Sequence, residues 1–169
     1  MPLLRRLATL ETVGDMWQAS NARFEEGMAL VAAGYLDGGI YLLGYAAEMI
    51  LKVAFCRLNQ NAPPTLTVRS KFTDAVTHWR LHTGAISPPR GYEHSLIFWE
   101  TVLPRERATQ HKPVLGVIVA QTLSQCIKVV SDNWDVKMRY QPRTATGTEA
   151  DEVRLAVLWL HDNQTSLWR

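Results

Sequence analysis

Cysteine is scarce in this chain: 169 residues hold two, Cys56 and Cys126. Each falls within an apolar helical pattern, where a free thiol acts as a small hydrophobe. A disulfide framework is thereby set aside, and a reducing compartment is expected. Four sequence signatures are missing: Cys-x-x-Cys, Gly-x-Gly-x-x-Gly, a Walker loop and a Gly-x-Ser-x-Gly elbow. Their absence removes most of the case for redox thiol enzymes, dinucleotide-binding folds, P-loop enzymes and serine hydrolases. Nothing in the composition asks for a cofactor. An excess of charge of one sign is also lacking, because 18 basic and 16 acidic side chains leave a net charge of +2. No global cationic field gathers polyanions, so any nucleic-acid contact must come from a local patch. No uncharged apolar run reaches the roughly 18 residues that span a bilayer, nor does the opening stretch contain one of signal-peptide length. The expectation is a cytoplasmic protein without membrane contact. Strict alternation long enough for a strand is missing too, as are internal repeats and low-complexity tracts.

What is present is helical periodicity. With 47% apolar residues, the chain is long enough for one domain with its own core, taken as 1–169. Residues 15–33 place Met16, Ser20, Phe24, Met28 and Val31 on one face, and Gly34 supplies a residue suited to closing a helix. A second helix over 35–60 follows after one or two residues, which requires an antiparallel hairpin. Its buried stripe is Leu36, Ile40, Leu43, Ala47, Ile50 or Leu51, Ala54 and Leu58. Gly38, Gly39 and Gly44 each cost about 1 kcal/mol of helix propensity relative to alanine, which close approach to a neighbouring backbone would offset. Pro63 and Pro64 interrupt the chain. Ser70 is placed to cap a short helix presenting Phe72, Ala75, Val76 and Trp79. A further helix is expected over 92–102, then a charged connector over 104–112. Pro113 is expected to begin a long helix with Leu115, Ile118, Thr122, Cys126, Val129 and Val130 facing inward. After a basic, turn-rich stretch, Thr148 and Asp151 form a capping-box pattern for a last helix whose core stripe is Val153, Ala156, Val157 and Leu160. The fold class is all-α, an antiparallel bundle of about five to six helices.

The second helix carries another row, Tyr41, Tyr45, Glu48 and Lys52, which puts a carboxylate and an ammonium one turn apart beside two phenols. The string Ala46-Ala47-Glu48-Met49-Ile50-Leu51-Lys52 resembles the alanine, glutamate, leucine, lysine signature in the second helix of HEPN domains. His94-Ser95-Leu96 is similar to that family's histidine-x-leucine before its third helix. Arg139-Tyr140-Gln141-Pro142, followed by Glu149-Ala150, resembles the turn leading into its last helix. The three matches occur in order over residues 35–165. The resemblance implies a HEPN-like bundle that binds a nucleotide, RNA or a partner, like the subunit accompanying a small nucleotidyltransferase. It also implies a homodimer, for which six tryptophans offer anchors, and a groove in which Glu48 meets Arg139.

The family's catalytic form is a metal-independent ribonuclease toxin with an arginine followed four to six residues later by a histidine. Arginine would stabilise the phosphorane and histidine would move the proton of a 2′-hydroxyl. Positions 144 to 146, downstream of Arg139, are Thr, Ala and Thr. Arg105 and His111 satisfy the spacing but lie in the expected connector, where an ordinary solvated stretch or a phosphate contact competes with a nuclease site. Elsewhere, His78 and His82 stand at metal-ligating spacing without the usual glutamate or an evident third ligand. They are expected as two partly exposed histidines flanking a buried Trp79. Glu48 and Lys52 read either as a surface ion pair or as the rim of a groove. Tyr41 and Tyr45 suit base stacking or a dimer interface. Lys137, Arg139 and Arg143 cluster before a helix N-terminus, where phosphate is a sensible ligand, although Glu149, Asp151 and Glu152 already serve that dipole. A purely structural oligomerisation bundle is the third reading.

Overall fold

A computed structural model describes residues 12–59, 71–140 and 144–169, with the side chains of Arg139 and Tyr140 outside the description. Six α-helices are present among these residues: α1 (Val13–Ala32), α2 (Leu36–Arg57), α3 (Phe72–Thr83), α4 (Leu96–Thr109), α5 (Val117–Asn133) and α6 (Gly147–Asn163). Short 3-10 turns cover Tyr92–His94, Val136–Tyr140 and Gln164–Leu167. No strand occurs among the described residues, and the fold is an all-α bundle.

α1 opens on a capping box in which Thr12 and Asp15 exchange hydrogen bonds. It closes at Gly34, with φ at +81°, where the amides of Gly34 and Tyr35 return to the carbonyls of Val31 and Leu30 at 3.0 and 2.9 Å. This Schellman closure turns the chain back on itself, as the short connection requires. Gly39 then lies against the backbone of Val31 and Gly27, with Leu43 packed over Gly27. Residue 31 opposite 39 and 27 opposite 43 is an antiparallel register, and side chains at Gly27 or Gly39 would force the helices apart. The close approach expected of the second-helix glycines is realised at Gly39; Gly44 instead makes room for the ring of Trp134.

α2 is the centre of the bundle and packs on α1, α4 and α6. Its burial goes almost all round: besides the expected stripe, of which Leu36 is only partly buried, Ala46, Val53, Phe55 and Cys56 are buried, as are Glu48 and Lys52. By length and composition α2 is apolar enough to cross a membrane, but 78% of its most apolar window is buried within the bundle. Both cysteines are free and buried, and burial pushes the Cys56 thiol up to about 12.

Four expectations need correction. The residues after Pro104 are helical, because α4 runs on to Thr109. Proline removes one helical donor, but buried contacts hold the next turn in place. Glu106 binds His78 at 2.7 Å, and the Arg107 guanidinium donates to the carbonyls of Pro113, Leu167 and Arg169. That grip keeps Pro113 out of the next helix, so α5 begins at Val117 after Gly116. The inward face of α5 is consequently Leu123, Cys126, Ile127 and Val130, and Ile118 is 78% exposed. α6 opens on Thr146 and Glu149 rather than Thr148 and Asp151. The Asp37 carboxylate accepts from the amides of Thr144 and Ala145, which sets where the chain enters the helix. The N-cap of α3 is Lys71, and Ser70 lies outside the described residues. Val153, Ala156, Val157 and Leu160 form the buried stripe of α6 as expected.

Candidate functional site

The row Tyr41, Tyr45, Glu48, Lys52 belongs to the interior at its lower half. Glu48 and Lys52 are 3% and 6% exposed, so they form neither a solvated pair nor a groove rim. The Lys52 ammonium donates to Glu48 Oε1 at 2.5 Å and lies 5.7 Å from the ring centres of both Phe72 and Trp99. An ammonium between two aromatic rings and one carboxylate has exchanged most of its water for fixed partners.

The other face of Glu48 meets His94, whose Nδ1 lies 3.1 Å from Oε2 and 3.3 Å from Oε1. A carboxylate can only accept, so Nδ1 donates, and it is Nε2 that holds the lone pair whenever the ring is neutral. The His94 side chain is 45% exposed, whereas that of Glu48 is 4% exposed. His94 therefore stands at the boundary, anchored from behind by a buried anion. It ends the 3-10 turn Tyr92–His94. Ser95 then caps α4, its Oγ accepting from the Phe98 amide at 3.2 Å, while the Trp99 indole donates to the Glu93 carbonyl at 3.1 Å. These bonds fix the backbone on either side of the imidazole.

His94 forms part of the wall of a cleft of about 340 Å³. Arg90 and Lys137 supply two further cationic groups, Asp135 one anion, and Ile97, Trp134 and Val136 an apolar side. Asp135 Oδ1 accepts from the Lys137 amide at 2.7 Å, which ties down the turn after α5. Trp134 is held by its indole, which donates to the Tyr41 carbonyl at 3.1 Å, and by an edge contact with Tyr45. The two phenols meet each other with hydroxyls 3.4 Å apart. Tyr41 and Tyr45 thus support the indole from behind the cleft.

The remaining sequence-derived candidates are dispersed. Lys137 lines the cleft and is exposed. Arg139 lies in the turn Val136–Tyr140, with its side chain outside the description, and Arg143 lies outside the described residues. The expected meeting of Glu48 and Arg139 therefore falls outside them too; the partners Glu48 does show are Lys52 and His94. Arg105 donates to the Leu81 carbonyl at 2.8 Å across α3. His111 is exposed in the turn after α4, at φ +55°, and among the described residues no hydrogen bond joins it to Arg105. His78 is buried against Glu106 while His82 is exposed, so they do not act as a matched pair. Trp79 is only partly buried.

Two residues of the site escape a reading by single-helix spacing. Arg90 follows two prolines in a loop and carries no periodic signal. His94 lies 46 positions from Glu48, and only its place in the histidine-x-leucine string marked it. No protein-family model, no curated protein and no solved structure matched this chain.

Proposed function

We propose that the chain is a HEPN-like module that binds the phosphate of a nucleotide or RNA in the cleft beside His94. In this reading it is a cytoplasmic homodimer and resembles the subunit that accompanies a small nucleotidyltransferase. The observation that carries the proposal is the convergence of His94, Arg90 and Lys137 on one cleft with an apolar side wall. A phosphate takes charge-assisted hydrogen bonds from such groups, and a nucleobase can rest against the exposed Ile97 beside the edge of the buried Trp134. Asp135 offsets part of the positive charge, which favours a defined ligand over indiscriminate polyanion binding.

The test is titration of a fluorescent adenine nucleotide and of a short single-stranded RNA at two salt concentrations. Reversing both charges with Arg90→Glu and Lys137→Glu should weaken binding at least about tenfold and flatten its salt dependence. His111→Ala should leave it unchanged. Equal affinity for the wild type and the charge-reversed protein would refute the assignment.

A second reading, a metal-independent ribonuclease, draws its support from the accessible imidazole of His94. Cleavage of RNA in chelator that disappears in His94→Ala favours it, and cleavage that disappears in His111→Ala restores the Arg105 and His111 pair. RNA left intact by the wild-type protein removes both catalytic assignments.

A further inference from the structure

His94 has the layout of a nucleophile as well as of a binding group. Its Nδ1 is committed to a carboxylate that is itself buried and ion-paired, at 3.1 Å. Its Nε2 has no hydrogen-bond partner among the described residues, and the ring lies in the cleft wall with Arg90 and Lys137. None of the other histidines combines these features. His78 Nε2 is consumed by Glu106, and His161 is stacked on Phe24 at 4.1 Å beside an exposed carboxylate. His82 and His111 are exposed, and no ion pair to a carboxylate is formed by either among the described residues.

We propose that His94 Nε2 is a phosphoryl acceptor for a small activated donor of the acyl-phosphate or phosphoramidate class. The proposal rests on the phosphate-binding reading above, since the same cleft must hold the donor. The Nε2 lone pair attacks phosphorus, the Nε2–P bond forms, and the bond from phosphorus to the leaving group breaks. The leaving group departs with that electron pair, as a carboxylate or, from nitrogen-protonated phosphoramidate, as ammonia. No proton is required from the protein. Positive charge develops on the imidazole ring, where the Glu48 carboxylate meets the Nδ1 proton and stabilises it. Arg90 and Lys137 hold the phosphoryl oxygens, and Lys52 positions Glu48 from its far side without touching the donor.

The experiment incubates the intact protein with potassium phosphoramidate and follows phosphorylation of each histidine by peptide mass spectrometry under alkaline conditions. His82 and His111 serve as references within the same molecule. His94 should react faster than either on the order of tenfold, the scale of one charge-assisted hydrogen bond to the developing imidazolium. Glu48→Gln should reduce that advantage, and Arg90→Ala with Lys137→Ala should raise the half-saturating donor concentration. Equal rates at His94, His82 and His111 in the wild type overturn the proposal, whatever the variants do to folding. Nucleotide binding measured on the same sample separates the failures: binding without selective His94 reactivity removes the nucleophile alone, and loss of both removes the site.

Discussion

Substitution of Glu48 by alanine tests the buried pair most directly. Lys52, 6% exposed, would be left with the rings of Phe72 and Trp99 as its remaining neighbours. Breaking a buried ion pair from one side costs about 3–5 kcal/mol, because the remaining charge keeps its desolvation penalty and loses its compensation. The two ring contacts return part of that, each about 0.5–2 kcal/mol for a cation over an aromatic face, so the lower end near 3 kcal/mol is expected. For a chain of this length about 3 kcal/mol corresponds to a fall in Tm of roughly 6–12 °C. Lys52→Met should cost less, because Glu48 retains His94, which is half exposed. In the cycle of wild type, Glu48→Met, Lys52→Met and the double variant of the two, the double should recover stability, giving a coupling of about 2 kcal/mol. Urea denaturation of the four proteins measures this directly. A Glu48→Ala variant within about 0.5 kcal/mol of the wild type, or strictly additive single changes, would refute the view that the two charges depend on each other.

A Cβ at Gly44 would clash with the face of the Trp134 indole, so Gly44→Ala should displace that ring, cost about 1–3 kcal/mol by overpacking and weaken nucleotide binding; unchanged tryptophan fluorescence and melting would contradict it. Burial raises the Glu100 carboxyl above its ordinary 4.5, with a hydrogen bond from Ser124 opposing in part. Its stabilising contribution is therefore full below the unfolded value and lost as pH rises through the folded one. Glu100→Gln should accordingly gain stability at about pH 7 relative to the wild type and lose that gain on acidification below about pH 4. Asp15 and Glu149 run the opposite way, their carboxyls lowered by hydrogen bonds from Thr12 and Thr146. What they contribute is present above the ordinary carboxylate range and lost as pH falls through their folded values. Chemical denaturation across that range checks all three signs.

The parts of this protein legible in its sequence are those governed by contacts within a turn or two. Helical spacing marked α1, α2 and the buried stripe of α6 because a 3.6-residue repeat brings apolar side chains to one face whatever that face later meets. The hairpin between α1 and α2 was equally legible, since Gly34 and a very short connection leave the chain one way to turn. Boundaries governed by distant partners were misplaced. Pro104 and Pro113 carry the local signals of a helix stop and a helix start, yet Glu106, Arg107 and their remote acceptors extend the first helix and delay the second.

The site divides along the same line. Sequence alone determined an all-α bundle and a glutamate and lysine one turn apart on the central helix, because both follow from local geometry. The tertiary structure decided that this pair is interior, that the unbound face of Glu48 meets His94 rather than water, and that Arg90 and Lys137 share a cleft with that histidine. The physical reason is that burial and charge compensation are set by whichever elements pack against a residue, here α3, α4 and the turns before α4 and after α5, and spacing along one helix carries no record of those neighbours.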